Sequence, residues 1–445
     1  MNVLRTLPKV DKCLSHPLLQ GLSEHLLIHI ARQKIEELRH DLIERKIENF
    51  EEDALMLSIK EAYMKTLKPS LKPLINATGV ILHTNMGRSL ISRTLLERAS
   101  EVICNYSNLE YNLELGNRGE RYEHVSNHLK ELLKVEDVLV VNNNASAVFL
   151  ILNTFAKNKE VVVSRGELVE IGGSFRIPEV MKQSGAILYE VGATNKTKLA
   201  DYIDAIHEDT VMLMKVHQSN FSIEGFSEDV PYENIKQLAA NHNLLDYYDL
   251  GSGFVPKLPY NLSNREHSLH EILECQPSLI SFSGDKLFGS VQAGIIAGRA
   301  DLIAKLKKNQ LLRMLRVDKI TLSLLEETIK AYLQEHYEEI PTLWLLFRTT
   351  QELEARAKEV KKCVGEQYCD IIESETYMGG GTLPNRRFPT IALHVKGKAT
   401  SLERQFREHQ VIGRIENDRF LLDFRTILPS VEEKLIHIIK TIVGN

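Results

Sequence analysis

Lys286 lies in the stretch Ser281-Phe-Ser-Gly-Asp-Lys-Leu-Phe-Gly-Ser-Val-Gln-Ala-Gly294, where the apolar pair Leu279-Ile280 gives way to small residues. A lysine just past the carboxyl end of a buried strand sits where open α/β sheets bind ligands. Partial burial there lowers the amine's pKa and frees it for Schiff-base chemistry. Ser283, three residues earlier, brings a hydroxyl near the amine, suited to an anionic group such as a phosphate. Asp285 adjoins the lysine, either to assist proton transfer or to shape the turn. Two other stretches have the same strand-then-turn form. Val138–Val141 runs into Asn142-Asn-Asn-Ala-Ser-Ala147 and then an apolar helix. There the free N–H groups of Asn144, Ala145 and Ser146, with the helix dipole behind them, form an anion site. Leu244-Leu-Asp-Tyr-Tyr-Asp-Leu-Gly-Ser-Gly253 sets Asp249 at another strand end, where a carboxylate can hold a ring nitrogen protonated.

These residues need a sheet to hold them. Short apolar runs at Val138–Val141, Val161–Val163, Ala186–Tyr189, Val211–Met214, Leu244–Leu245, Leu279–Ile280 and Gly294–Ala297 alternate with helix-length segments. Such runs predict strands buried on both faces in a mainly parallel sheet, an α/β fold with helices on both sides. Before it, residues 1–70 are rich in Lys, Glu and Leu, with Leu26, Ile30, Ile35, Leu38, Leu42 and Ile47 at helical spacing. This predicts an N-terminal helical domain ending at Pro69 and Pro73. The sheet domain is expected over residues 71–320 and a small α+β domain over 321–445, with strands at Thr390–Val395 and Arg419–Phe424. The chain has 445 residues, 55 Lys and Arg against 60 Asp and Glu, and a formal charge of −5. That balance excludes a bulk polycation, so a nucleic acid would have to be held by a local patch. The five cysteines contain no C-x-x-C pair and predict neither a disulfide framework nor a metal site. No window reaches the roughly 18 apolar residues of a membrane span, so the cytoplasm is the expected compartment.

A phosphate cradle, an Asp and then a Lys, each ending a strand, is the order used by pyridoxal-phosphate enzymes of the aminotransferase-like fold, fold type I. Longer motifs narrow this. Asn76-Ala-Thr-Gly-Val-Ile-Leu-His-Thr-Asn-Met-Gly-Arg88, Asn108-Leu-Glu-Tyr111, Val163–Pro178, Lys215-Val-His-Gln-Ser-Asn220, Asp249-Leu-Gly-Ser-Gly253 and Ser283-Gly-Asp-Lys286 resemble the signatures of bacterial L-seryl-tRNA(Sec) selenium transferases. The resemblance implies pyridoxal 5′-phosphate as cofactor and conversion of seryl-tRNA(Sec) to selenocysteinyl-tRNA(Sec) through an aminoacrylyl intermediate, with selenophosphate as donor. It further implies a homodecamer whose N-terminal domain grips the tRNA. Lys286 is then the Schiff-base lysine and the base for the Cα proton, and Asp249 the partner of the ring nitrogen.

Selenophosphate is a small, multiply charged anion, which planar guanidinium groups bind in bidentate fashion. The resemblance assigns it to Arg88, Arg313 and Arg316. The last two lie three apart and on a helix would share a face. Arg118 and Arg121 are weaker candidates, and His83, His217, the segment Glu170–Ser174 and the loop Gly379-Gly-Gly381 are further possible neighbours of the cofactor or substrate. The chain departs from the family pattern after the lysine. Family members commonly read Leu-Leu-Gly-Gly-Pro-Gln-Ala-Gly, and here it is Leu287-Phe-Gly-Ser-Val-Gln-Ala-Gly294. Two rival readings use the same residues: a lyase acting by β-elimination on a small free amino compound, and a non-catalytic tRNA-binding scaffold. The helical residues before Pro69 favour a tRNA substrate over the first. Lys286 with Asp249 argues against the second, since a scaffold needs neither.

Overall fold

All seven apolar runs of the middle zone become strands of one sheet in the computed structural model of the chain, which describes residues 3–168, 170–171, 175–218, 225–265 and 268–444. In chain order these are β1 (Asp137–Val141), β2 (Glu160–Ser164), β3 (Ile187–Val191), β4 (Thr210–Val216), β5 (Leu245–Ser252), β6 (Leu279–Ser283) and β7 (Gly294–Gly298). Their order across the sheet is β1-β7-β6-β5-β4-β2-β3. All neighbours are parallel except β7, which runs antiparallel to β6 and β1. Successive residues alternate between two cores. Val138, Val140, Ile280, Phe282 and Ile295 enter one, and Leu139, Val141, Val161, Val163, Met212, Met214 and Ile296 enter the other. Helices cover both faces, so the strands carry no polar side and appear in the sequence as continuous apolar runs. Only the edge strand β3 is exposed along most of its length.

A second, antiparallel sheet follows. It is built from β8 (Cys369–Gly379), β9 (Thr382–Val395), β10 (Arg414–Glu416) and β11 (Arg419–Asp423), in the order β8-β9-β11-β10. The helices Thr350–Val364, Ala399–Glu408 and Glu432–Val443 pack on it around Phe406, Phe420 and Phe424. The helix Lys319–Leu333 puts Leu322, Leu325 and Ile329 into the core of the seven-stranded sheet. Just beyond β11 lies Arg425, which is fully buried. Its guanidinium donates to the carbonyls of Leu345, Leu346, Arg348 and Pro389. It also lies over the rings of Tyr260 and Phe388, at 5.5 and 5.4 Å.

The chain divides into two compact units, Met1–Pro73 and Leu74–Asn445. The first is helical, with elements Val10–Leu14, Glu24–Ile43 and Glu52–Leu67. Leu27, Ile30, Ala31, Ile35, Leu55, Met56, Ile59 and Tyr63 form its own core. The helical spacing at Ile30 and Ile35 therefore marks a buried face, and Ile47 lies beyond the helix end at Glu44.

Candidate active site

Three strand ends converge at the carboxyl edge of the large sheet. Register places Val141, Gly294, Ser283 and Ser252 in one row across β1, β7, β6 and β5. Gly294 is needed there, because a Cβ would run into the backbone of Asn143 and Asn144. The turn after β1 thus lies directly against β7, and the helix Asn144–Phe155 begins at the sheet edge.

Asp249 is 4% exposed, near the end of β5. A register shift between Asp249 and Gly251 marks a β-bulge, and the Gly251 N–H donates back to Asp249 Oδ1 at 3.1 Å. Bulges of this kind re-aim a side chain at a sheet rim. The Asn144 amide donates to the same Oδ1 at 2.7 Å, so the turn after β1 and the carboxylate on β5 are directly joined. Burial holds the Asp249 carboxyl above its ordinary range, opposed by the Asn144 hydrogen bond, the Lys286 charge and the Gly251 N–H. Asn144 Oδ1 is buried without a hydrogen-bond partner.

Lys286 is 7% exposed. Burial pushes its amine below the usual lysine range and Arg88 lowers it further, while Asp249 and Asp285 pull it back up. The turn that carries it is closed by three backbone bonds: Gly284 N–H to Ala293 O, Ser290 N–H to Gly284 O and Gly289 N–H to Lys286 O, at 2.8, 2.8 and 2.9 Å. The departure from the family pattern falls within this turn, and packing accommodates it. Phe288 is fully buried, with its ring 4.9 Å from Tyr332 and 5.7 Å from Phe282. The Ser290 hydroxyl donates to Thr328 Oγ1 at 2.9 Å.

The remaining candidates fall in distinct places. Ser283 is buried at the end of β6. In the turn after β1, Asn143 Oδ1 accepts the Ser146 N–H at 2.8 Å as a helix cap. Ser146 therefore offers its hydroxyl, while Asn144 and Ala145 keep their N–H groups for an anion. Arg88 Nη1 donates to Asp285 Oδ2 at 2.8 Å, which gives Asp285 a partner the sequence did not reveal. Arg313 is exposed, on the short helix Leu312–Leu315. Arg316 lies past that helix in extended backbone, with φ −71 and ψ 148, so the expectation of one shared helical face is not met. The chain has to extend there because Asp318 caps the next helix, accepting from Thr321 N–H at 2.8 Å. The segment is still tied to the anion turn, since Asn142 N–H donates to Leu315 O at 2.8 Å. Arg316 sits 3.7 Å from Glu110, which also pairs with Arg118 and Arg121. Arg121 further donates to the Val317 carbonyl, a structural tie rather than an open anion ligand. The His217 N–H donates to the Asp249 carbonyl at 2.9 Å, as a strand partner would. His83 is held below its ordinary pKa by burial. Residues 169, 172–174 and 219–220, within the motifs Val163–Pro178 and Lys215–Asn220, lie outside the described residues.

One further buried group escaped sequence reasoning. Glu167 accepts from Lys215 Nζ at 3.1 Å and from the Val216 N–H at 2.9 Å, tying the end of β4 to the segment that follows β2. The sequence signal lay with its partner, Lys215, a charge inside the apolar run Val211-Met-Leu-Met-Lys-Val216.

The site fits pyridoxal phosphate on chemical grounds: a buried amine with a lowered pKa, a buried carboxylate on the neighbouring strand, an unpartnered amide oxygen, and a helix N-terminus for the phosphate. Sheet order and site together define a fold-type I, aminotransferase-like protein of the pyridoxal-phosphate-dependent class. A solved structure described as D-glucosaminate-6-phosphate ammonia-lyase has the same fold, with a TM-score of 0.61 at 17% identity, covering 86% of this chain and 98% of that one. The family model for L-seryl-tRNA selenium transferase matches residues 74–428, and the chain belongs to that family. The L-seryl-tRNA(Sec) selenium transferase of Aliarcobacter butzleri (strain RM4018) is 56% identical over 446 residues, covering 99% of both chains. Its counterpart in Sulfurimonas denitrificans (strain ATCC 33889 / DSM 1251) is 54% identical over 448 residues, covering 100% of both.

Proposed function

We propose that this protein converts L-seryl-tRNA(Sec) to L-selenocysteinyl-tRNA(Sec), with pyridoxal 5′-phosphate as cofactor and selenophosphate as donor. The observation that carries the reading is the buried Lys286 amine beside an Asp249 that Asn144 holds in place, in a chain matched from end to end by transferases of that name. When bound, the cofactor supplies a carbonyl carbon for amines and a ring that takes up the electron pair left by a departing Cα proton. Lys286 Nζ anchors it, and Asp249 holds a proton at the ring nitrogen. The N–H groups of Asn144 and Ala145 and the hydroxyls of Ser146 and Ser283 bind its phosphate. Lys286 Nζ, when not holding the cofactor, would serve as the base for the Cα proton. The seryl hydroxyl would leave Cβ with a proton as water, selenium would bond to Cβ as its phosphoryl group passes to water as phosphate, and Lys286 Nζ would return a proton to Cα. Arg88, Arg313 and Arg316 bind the donor, and Asp285 orients Arg88 beside Lys286.

The N-terminal helical unit takes the tRNA. Its acids and bases nearly balance, so recognition rests on shape and a few cations such as Lys65, Lys68 and Lys72, all exposed. Assembly into a homodecamer and a cytoplasmic location complete the proposal. Among the described residues no helix is long and apolar enough to cross a membrane. The deciding assay offers the purified protein seryl-tRNA(Sec) and selenophosphate, with a free amino-sugar phosphate in competition. Selenocysteinyl-tRNA(Sec) is the expected product. Turnover of the amino-sugar phosphate alone would overturn the reading.

A further inference from the structure

One continuous segment runs from the small sheet to the lysine turn. It begins where Ile75 and Asn76 pair in parallel with Val411 and Ile412. The Asp423 N–H donates to Ala77 O at 2.9 Å, Gly79 N–H to Thr426 Oγ1 at 3.0 Å and Arg414 Nη1 to Thr78 O at 2.7 Å. Its far end turns through Gly87, at φ +93, and Arg88, at φ +60. There Arg88 meets the Asp285 carboxylate, and Ser89 N–H donates to Asp285 O at 3.3 Å.

Midway, the tip of the β8–β9 hairpin lies flat on this segment. Leu82 N–H donates to Met378 O at 2.8 Å, and Leu82 bridges to Gly379. Gly379, Gly380 and Gly381 all have positive φ, +80, +66 and +67, which other residues adopt only with strain. There is also no room for a side chain. A Cβ on Gly379 would collide with Val80 Cγ1 and lie 2.9 Å from Leu82 O, and one on Gly380 would lie 2.9 Å from Leu82 Cβ. The contact continues into one apolar cluster containing Ile81, Leu82, Met378, Leu383 and Leu287, the residue after Lys286. A simple hairpin turn needs glycine for its dihedrals. This one needs it also to bring its backbone against a second segment.

We infer that Gly379 and Gly380 are positioning residues for the selenium donor. The bare hairpin tip seats Val80–Leu82, and that seating sets where Arg88 stands against Asp285. The inference rests on the reading of Arg88 as a donor ligand. It predicts that lifting the tip costs donor affinity while the cofactor, held by Lys286, Asp249 and the turn after β1, stays bound.

Two variants test it, one at each anchor. Gly380→Ala adds the forbidden Cβ. Thr426→Val keeps the side-chain shape and removes the acceptor of the Gly79 N–H. In the full-length cofactor-loaded protein, both are expected to raise KM for selenophosphate roughly tenfold, the loss of about one charge-assisted hydrogen bond. The cofactor absorption band and the donor-independent exchange of the seryl Cα proton are expected to persist. If Gly380→Ala does not fold, Thr426→Val decides alone. An unchanged KM in the folded variants, or parallel loss of cofactor and donor, would overturn the inference. Arg88→Ala, measured alongside, separates the two levels. If Arg88→Ala leaves donor use intact, the functional reading of Arg88 fails and the inference with it. If only Arg88→Ala raises KM, the positioning role alone fails.

Discussion

The amide of Asn144 donates to the carboxylate of Asp249 at 2.7 Å, joining the first residue of a helix to a strand end 105 positions later. A buried carboxylate stays charged only where donors offset its desolvation, and this amide is the strongest of those offsetting it. Asn144→Ala should therefore weaken cofactor binding and turnover together, by roughly 10- to 100-fold, the effect of losing one hydrogen bond to a charged group of about 1.5–3 kcal/mol. Asp249→Ala should do more. Cofactor titration of the two variants checks this, and equal affinity in Asn144→Ala and the parent would refute the link.

Lys286→Ala should abolish the absorption band at about 400–430 nm that belongs to the cofactor joined to an amine. The same lysine gives a pH prediction. Burial lowers its amine below the ordinary value of about 10.4, so the neutral fraction is larger at every pH beneath that value. Reloading of cofactor-free protein should accordingly gain rate as pH rises, with a midpoint below that of an exposed lysine. Stopped-flow absorbance across pH measures it, and a midpoint at the ordinary value would contradict the burial argument.

Arg313 and Arg316 should differ. Both are exposed, but Arg316 lies 3.7 Å from the Glu110 carboxylate, which partly occupies its charge. Arg313→Ala should weaken selenophosphate use strongly and leave Cα-proton exchange without donor intact. Arg316→Ala should show the same pattern more weakly. Steady-state KM and kcat for donor, set against hydrogen exchange at Cα, distinguish the steps. Equal loss in both would remove Arg313 from the donor pocket.

The unit Met1–Pro73 has a core of its own, so the chain from Leu74 should keep its fold without it. Its removal is expected to leave the cofactor spectrum unchanged and abolish binding of tRNA(Sec). A filter-binding assay on the shortened protein suffices, and retained tight binding would move the tRNA site elsewhere.

Much of this architecture was legible because strands buried on both faces must be apolar throughout. Val138–Val141, Val161–Val163 and Gly294–Ala297 could hardly be anything else. Lys286 and Asp249 were visible because charge at the end of such a run is unusual. What stayed hidden depends on contacts between distant positions. Nothing local announces that Asn144 meets Asp249, that Arg88 meets Asp285, or that Glu167 meets Lys215. Arg316 misled for the complementary reason. Its spacing from Arg313 suited a helix, but the cap at Asp318 claimed the chain first. The Phe288 departure also needed the structure, because only packing against Tyr332 shows why a larger ring fits there.

Arg425 bears on the order of folding. Its guanidinium is enclosed by carbonyls from residues 345–348 and 389 and by the ring of Tyr260, groups that lie far apart along the chain. Burying that charge before all of them arrive would leave it poorly solvated, so the arginine can enter only late, as the small sheet closes on its neighbours. Interactions absent from the transition state govern escape from the native state rather than arrival at it. Arg425→Met should thus hasten unfolding in denaturant while leaving the refolding rate nearly unchanged, and a slowed refolding rate would place this closure early instead. The residue would then act as a latch on the lifetime of the folded enzyme, with no part in its chemistry.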